Sequence, residues 1–254
     1  MPADQIFIAT ASEFFPKKAF EYACKIAKGF AKEVCLISLD ENSNIADFIA
    51  EHQSSTDIKI NYLEGNKTNS LTETLESAEA SMIVFELSDK KPFNSISYLL
   101  KLSRKLRIPY IFVKEEQEIK FDNIIVPITF LNEEKEKGRF ANNLGRFMKS
   151  EIVLLRANDY GSKAQSNTNA IKTLLDKYAI KYEEIKANKD SYKVEMEAVL
   201  TAEHYNAEMA IITASREYGL DDIIFGPKEL HIIRKAEIPV MMLNPRGDLY
   251  VLCD

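Results

Sequence analysis

Ile238-Pro239-Val240-Met241-Met242-Leu243, near the end of the chain, restates Ile108-Pro109-Tyr110-Ile111-Phe112-Val113, and this echo decides the fold. Upstream of each copy the same thing happens. Met209-Ala210-Ile211-Ile212 answers Met82-Ile83-Val84-Phe85, and Ile180-Lys181-Tyr182 answers Ile58-Lys59-Ile60. Ile152-Val153-Leu154-Leu155-Arg156 answers Val34-Cys35-Leu36-Ile37-Ser38, and Ile124-Ile125-Val126-Pro127 answers Ile6-Phe7-Ile8-Ala9. Five segments recur in one order at offsets drifting from 118 to 130 residues, which is the signature of an internal duplication. Charge is duplicated as well. Residues 1–120 carry 15 basic and 18 acidic side chains, and residues 121–254 carry 18 and 21, so each half is −3. The short charged stretch Glu115 to Lys120 marks the join, giving domains 1–117 and 118–254.

Segments of helical periodicity separate the apolar runs. Phe20, Ala23, Ala27 and Phe30 fall at spacings of three and four, as do Phe140, Leu144 and Phe147. Ile45, Phe48 and Ile49 do likewise, and so do Ile171, Leu174, Leu175 and Tyr178. Each half therefore reads β-α-β-α-β-α-β-α-β. Short, continuously apolar strands suit a parallel sheet covered on both faces. The expected fold is α/β, with two repeated open, mostly parallel five-stranded sheets and helices on both faces. Ligands of such sheets bind beyond the carboxyl ends of the strands, where the strand order switches. The segments that would build a site are Thr10 to Phe14, Ser88 to Asn94, Thr129 to Glu133 and Thr213 to Gly226. After the turn-like Asn244-Pro245-Arg246-Gly247, Leu249 to Cys253 has strand propensity and is expected to add an extra strand to the second domain.

Composition narrows the function. The 254 residues are 46% hydrophobic and 28% charged, which permits a sizeable core. A formal charge of −6 argues against a basic nucleic-acid footprint or a polybasic membrane patch. The run Ile238 to Leu243 has only six residues, whereas a membrane helix needs about 20. Three widely spaced cysteines, Cys24, Cys35 and Cys253, suit reduced thiols in the cytoplasm better than a disulfide framework. Glycine is scarce: 8 residues, where a share of roughly 7% of the chain is usual. Loops that cradle phosphate on backbone amides use glycine to bring the chain close, so the composition weighs against a rich nucleotide loop.

The second half resembles the universal stress protein family through Asn123-Ile124-Ile125-Val126-Pro127, Ala207-Glu208-Met209-Ala210-Ile211-Ile212, and the stretch from Gly219-Leu220 through Ile223-Ile224-Phe225-Gly226 to Ile238-Pro239-Val240. The first half is similar through Ile6 to Ala9, Met82 to Phe85 and Ile108-Pro109, so the resemblance is to a tandem pair spanning the chain. Nucleotide-binding members of that family carry an Asp after the first strand and a loop of the form G-x2-G-x9-G-(S/T). Here the Asp position falls on Thr129, and the loop positions on Thr213, Arg216, Gly226 and Pro227. The spacing survives, but Gly226 alone keeps a signature residue. In the first half the Asp position falls on Ala11, Ile96-Ser97 stands where the last glycine would be, and no glycine occurs between Gly65 and Gly138.

Thr129, Thr213, Arg216 and Gly226 are therefore the candidate cofactor-binding residues, with Lys228 near a helix start. Arg216 would pair with a phosphate; the alternative is a solvated loop residue beside Glu217, Asp221 and Asp222. For the two threonines the commoner role is capping a strand end or turn. His52, His204 and His231 have no metal-ligand spacing, and no metal is expected. The adjacent pairs Glu133-Glu134, Glu183-Glu184 and Glu115-Glu116 are expected to be solvated. Walker A, G-x-S-x-G and Cys-x-x-Cys motifs are absent, and no nucleophile-base pair can be nominated.

The resemblance implies a non-catalytic stress-response or signalling protein acting by protein association or small-ligand sensing. It implies no cofactor, ATP being the one candidate left open, and a homodimer or another protein as partner. It also implies a seam between the halves along Tyr110 to Val113 and Val240 to Leu243. Two alternatives stand beside it. One is an adenine-nucleotide switch or slow ATPase using Gly226, Thr129 and Arg216; the other is a sensor of another anion or metabolite in the vacated pocket.

Overall fold

Four of the five paired runs fall largely on strands, while Ile58-Lys59-Ile60 and Ile180-Lys181-Tyr182 reach theirs only at Ile60 and Tyr182. The computed structural model describes residues 5–10, 15–39, 45–53, 56–63, 71–88, 94–215 and 226–246, with the backbone alone for 45–48. The chain divides into two compact units, Met1–Ile119 and Lys120–Asp254. The first runs β1 (Gln5–Thr10), α1 (Lys17–Phe30), β2 (Glu33–Ser38), α2 (Ile45–Gln53), β3 (Ile60–Leu63), α3 (Leu71–Ser77), β4 (Met82–Leu87), α4 (Ile96–Ser103) and β5 (Tyr110–Lys114). The second runs β6 (Asn123–Ile128), α5 (Glu136–Phe147), β7 (Glu151–Arg156), α6 (Lys163–Lys177), β8 (Tyr182–Lys186), α7 (Val194–Leu200), β9 (Met209–Thr213), α8 (Lys228–Lys235) and β10 (Val240–Leu243). Ala11 and the expected tail strand Leu249 to Cys253 lie outside the described residues.

Strand order is the same in both units. The first sheet is ordered β3-β2-β1-β4-β5 and the second β8-β7-β6-β9-β10, with all these neighbours parallel. Register repeats too: Ile6 lies opposite Met82 as Ile124 lies opposite Met209. The chain winds outward from β1 to β3, then returns to the other side of β1 for β4. That reversal puts the switch point between β1 and β4, and between β6 and β9. Central strands are buried along nearly their whole length, as parallel strands covered on both faces must be. At the edge, β8 alternates instead between exposed and half-buried residues.

Helix α1 buries Ala19, Phe20, Tyr22, Ala23, Ile26 and Ala27. Adding 118 to Ala19, Phe20, Ala23, Ile26 and Ala27 gives Lys137, Gly138, Ala141, Leu144 and Gly145, all of them on the buried stripe of α5. Phe147, expected on that stripe, is instead 43% exposed, with the Arg146 guanidinium over its ring at 5.1 Å. The stripe runs through small residues because Ile171 and Ile180 press against it. A Cβ on Gly145 would meet Ile180 Cγ2 at 2.4 Å, closer than carbon atoms approach. Glycine thus serves helix packing here. Among the described residues no helix is long and apolar enough to cross a membrane.

Candidate functional site

At the switch point of the second unit, the ends of β6 and β9 border a cleft. Its cavity of about 480 Å³ falls in the range of small-molecule pockets. Phe130 to Glu133 form one wall, Thr213 to Ser215 the end of the central strand, and Lys163 and Lys228 contribute from the starts of α6 and α8. The wall after β6 is tied down. Asn167 Nδ2 donates to the carbonyls of Thr129 at 2.9 Å and Leu131 at 2.7 Å, and Phe130 N donates to Ser191 Oγ at 2.9 Å. Ser191 in turn donates through its hydroxyl to Asp159.

Beneath the cleft lies a buried charge network. Lys137 is fully buried, and its ammonium donates to the Pro127 carbonyl at 2.7 Å, Glu134 Oε2 at 2.8 Å and Glu195 Oε1 at 3.5 Å. Lys228 Nζ meets the other oxygen of Glu195 at 2.7 Å. Burial pushes the Glu195 carboxyl upward, but Lys228 and Lys137 outweigh it and hold the group below its ordinary value. For Lys228 burial acts downward, and the Glu195 charge more than reverses it, so the ammonium is held above its ordinary value.

The carboxylates also take the backbone donors of the switch point. Thr129 N donates to Glu134 Oε2 at 3.0 Å, Thr213 N to Glu195 Oε1 at 3.3 Å, and Ser215 N to Glu229 Oε1 at 2.5 Å. Glu229 is fully buried in the first turn of α8, where the helix dipole favours negative charge. Glu133 and Glu134, expected to be solvated, are 3% and 0% exposed. They lie in a single 3₁₀ turn, Asn132–Lys135, that is tucked under the sheet end rather than on a solvated helix face. Glu184, from another expected solvated pair, is half-buried between Arg156 and Lys172, at 3.0 and 2.9 Å. Its neighbour Glu183 is exposed, as are Glu115 and Glu116.

Of the four candidate residues, Thr213 is the one among the described residues that lines the cleft. Thr129 is 3% exposed, and its hydroxyl accepts from Leu131 N at 3.2 Å, closing the turn after β6. Thr213 lines the cleft; its hydroxyl is buried and has no hydrogen-bond partner among the described residues. Gly226 has φ +79°, in the left-handed region, and a Cβ there would meet Leu230 Cδ2 at 2.6 Å. It leads through Pro227 into α8. Arg216 lies outside the described residues. What the sequence reading missed is the set Glu134, Lys137, Glu195 and Glu229, which does most of the positioning.

Two of the three histidines pack against aromatic rings. His52 packs between Phe15 and Phe20 at 5.7 and 5.8 Å, and His204 meets Tyr205 at 4.9 Å. Among the described residues no His, Cys, Asp and Glu gather as a metal site. Burial pushes the Cys24 thiol up to about 11 and the Cys35 thiol up to about 12.

The first unit fills its switch point differently. Glu86, 3% exposed on β4, accepts from Ala19 N at 2.9 Å in the first turn of α1. Burial raises its carboxyl above the ordinary value, against the pull of the Ala19 and Lys18 amides. Asn94 Nδ2 binds the Glu86 carbonyl at 3.0 Å.

No protein family profile and no curated protein sequence matches the chain. Solved structures do. A universal stress protein from Archaeoglobus fulgidus DSM 4304 is similar with a TM-score of 0.68 at 13% identity, over 97% of this chain and 100% of that one. A protein of Pseudomonas aeruginosa UCBPP-PA14, provisionally assigned to the universal stress proteins, is similar with a TM-score of 0.67 at 12% identity, over 96% of this chain and 94% of the other. A functionally unknown protein from Pseudomonas aeruginosa PAO1 gives 0.67 and 12%, covering 96% of this chain and 93% of its own. The chain has the universal stress protein fold, and the likeness extends over both units.

Proposed function

We propose that the chain is a non-catalytic protein of the universal stress type, acting by protein association or by sensing a small ligand in the cleft of the second unit, without ordinary ATP binding. One observation carries this reading. The amides of Thr129, Thr213 and Ser215, which an anion at the switch point would need, already donate to the carboxylates of Glu134, Glu195 and Glu229. The protein supplies its own negative charge where a phosphate would go. A polyphosphate entering there meets the Glu134, Glu195 and Glu229 carboxylates, finds these three amides taken, and gains little from α8, whose first turn already holds Glu229. Pro227, at the position a hydroxyl would take, offers no N–H.

A second reading, an adenine-nucleotide switch or slow ATPase in the same unit, is favoured by one feature. The cleft remains open, with Lys163 and Lys228 on its walls. Calorimetric titration of the full chain with ATP, with and without Mg²⁺, separates the two. No heat of binding is expected. Micromolar binding that weakens in Gly226→Val would overturn the first reading in favour of the second.

A further inference from the structure

A second cavity, of about 490 Å³, opens at the opposite end of the same sheet, at the amino ends of β7 and β8. Its walls are the end of α5, the link Lys149-Ser150 into β7, and the link Tyr178 to Lys181 between α6 and β8. Three cations line it, Arg146, Lys149 and Lys181, against one carboxylate, Glu151. Glu151 is taken by Lys181 at 3.0 Å. Arg146 and Lys149 face no carboxylate within ion-pair distance among the described residues. In a chain of net charge −6 this is a local excess of positive charge.

Helix ends attract lysine and arginine for a plain reason, since cations there offset the last carbonyls. That accounts for Arg146 and Lys177, each in a last turn. It does not account for two further features. The Arg146 guanidinium lies over the Tyr178 ring at 4.6 Å and the Phe147 ring at 5.1 Å, which holds it by its faces and leaves its N–H edges without an acceptor among the described residues. Ser150, 3% exposed, lines the cavity with a buried hydroxyl that has no hydrogen-bond partner among the described residues. A buried hydroxyl without a partner carries a desolvation cost that a bound acceptor relieves.

We infer that this cavity binds a small organic anion, its carboxylate or phosphate held by Arg146, Lys149 and the Ser150 hydroxyl, and its body lying against Tyr178 and Ile180. The guanidinium edge suits a two-oxygen acceptor, and Lys149 adds a point charge. The site is separate from the switch-point cleft and does not depend on what that cleft binds.

The test is a titration of the isotope-labelled full chain at physiological salt, followed by amide chemical shifts, with inorganic phosphate in one arm and benzoate in the other. Saturable shifts at Lys149, Ser150, Glu151 and Ala179 are expected in at least one arm. Saturation by phosphate alone identifies a phosphate-bearing ligand; saturation by benzoate alone identifies an aromatic carboxylate. Arg146→Gln and Lys149→Gln should each weaken binding about tenfold, with the remaining spectrum unchanged, whereas Lys177→Gln, outside the cavity, should not. No saturable shift in either arm overturns the inference. So do shifts that survive both glutamine substitutions, or shifts that appear at Thr213 and Ser215 instead.

Discussion

Ala19 and Lys137 hold matching places, each opening the buried stripe of the helix that follows its unit's first strand. Glu86 and Thr213 match in the same way, by the shared register of the paired strands. In the first unit, among the described residues, a carboxylate on β4 accepts from the Ala19 amide. The second puts a lysine on the helix and a threonine on the strand, and surrounds them with Glu134, Glu195, Glu229 and Lys228. A duplicated backbone preserves strand order and register because both are set by apolar burial. The polar filling at the strand ends is free to diverge, provided every buried donor is met. One frame thus accommodates, among the described residues, either a buried acid on the strand or an ion network beside a cleft.

The comparison can be broken most forcefully at Lys137. Lys137→Ala leaves Glu134 and Glu195 buried without their shared cation, and should destabilise the second unit by about 3–5 kcal/mol. Hydrogen exchange of the full chain would show it as lost protection in β6 and β9, with β1 and β4 unchanged. If all four strands lose protection equally, the networks of the two units are not independent.

The next test concerns the helix stripe. Ala27 tolerates a Cβ in α1, while its counterpart Gly145 has Ile180 in that space. Gly145→Ala should therefore cost about 1–3 kcal/mol through overpacking, read as a lower denaturation midpoint. An unchanged midpoint would mean that Ile180 can swing away freely.

Acid sharpens the contrast, because the two carboxylates carry opposite signs. Glu195 is held below its ordinary 4.5, so its contribution is complete above about that pH and is lost as pH falls through the lower folded value. Glu86 is held above 4.5, so the folded first unit takes up its proton more readily than the unfolded chain does. Stability from Glu86 is fully present below 4.5 and declines as pH rises through its folded value. On acidification from neutrality, β1 and β4 should hold or gain exchange protection down to about pH 4.5. Below that pH, β6 and β9 should begin to lose theirs. The reverse order would refute the assignment. The smallest effect follows from the same sign: Glu86→Gln keeps an acceptor for Ala19 N and removes a desolvated charge. At pH 7 it should leave stability unchanged or raise it by less than about 1 kcal/mol.

The frame of this molecule is written plainly in its sequence. The recurring apolar runs map onto strands, and the 118-residue offset between Ile6 and Ile124 holds for the helix stripes as well. The site is less legible. Glu133-Glu134 reads as a solvated pair, because pattern rules weigh each charge alone, whereas burial of Glu134 depends on Lys137, itself held by partners distant in sequence such as Glu195 and Pro127. One signal was present. Lys137 falls four residues before Ala141 and seven before Leu144, so the register that buries those two buries the lysine. Phe147 misled for the opposite reason: an aromatic at helical spacing suggested core, while glycines and alanine form the actual contact face.

Half-buried Cys24 and buried Cys35 bear on the redox chemistry open to the chain. A thiol must ionise before it attacks a peroxide or a disulfide. With Cys24 held at about 11 and Cys35 at about 12, roughly one molecule in ten thousand or fewer carries either thiolate at neutral pH. Neither position is therefore primed for the thiolate chemistry by which oxidants act on cysteine at neutral pH.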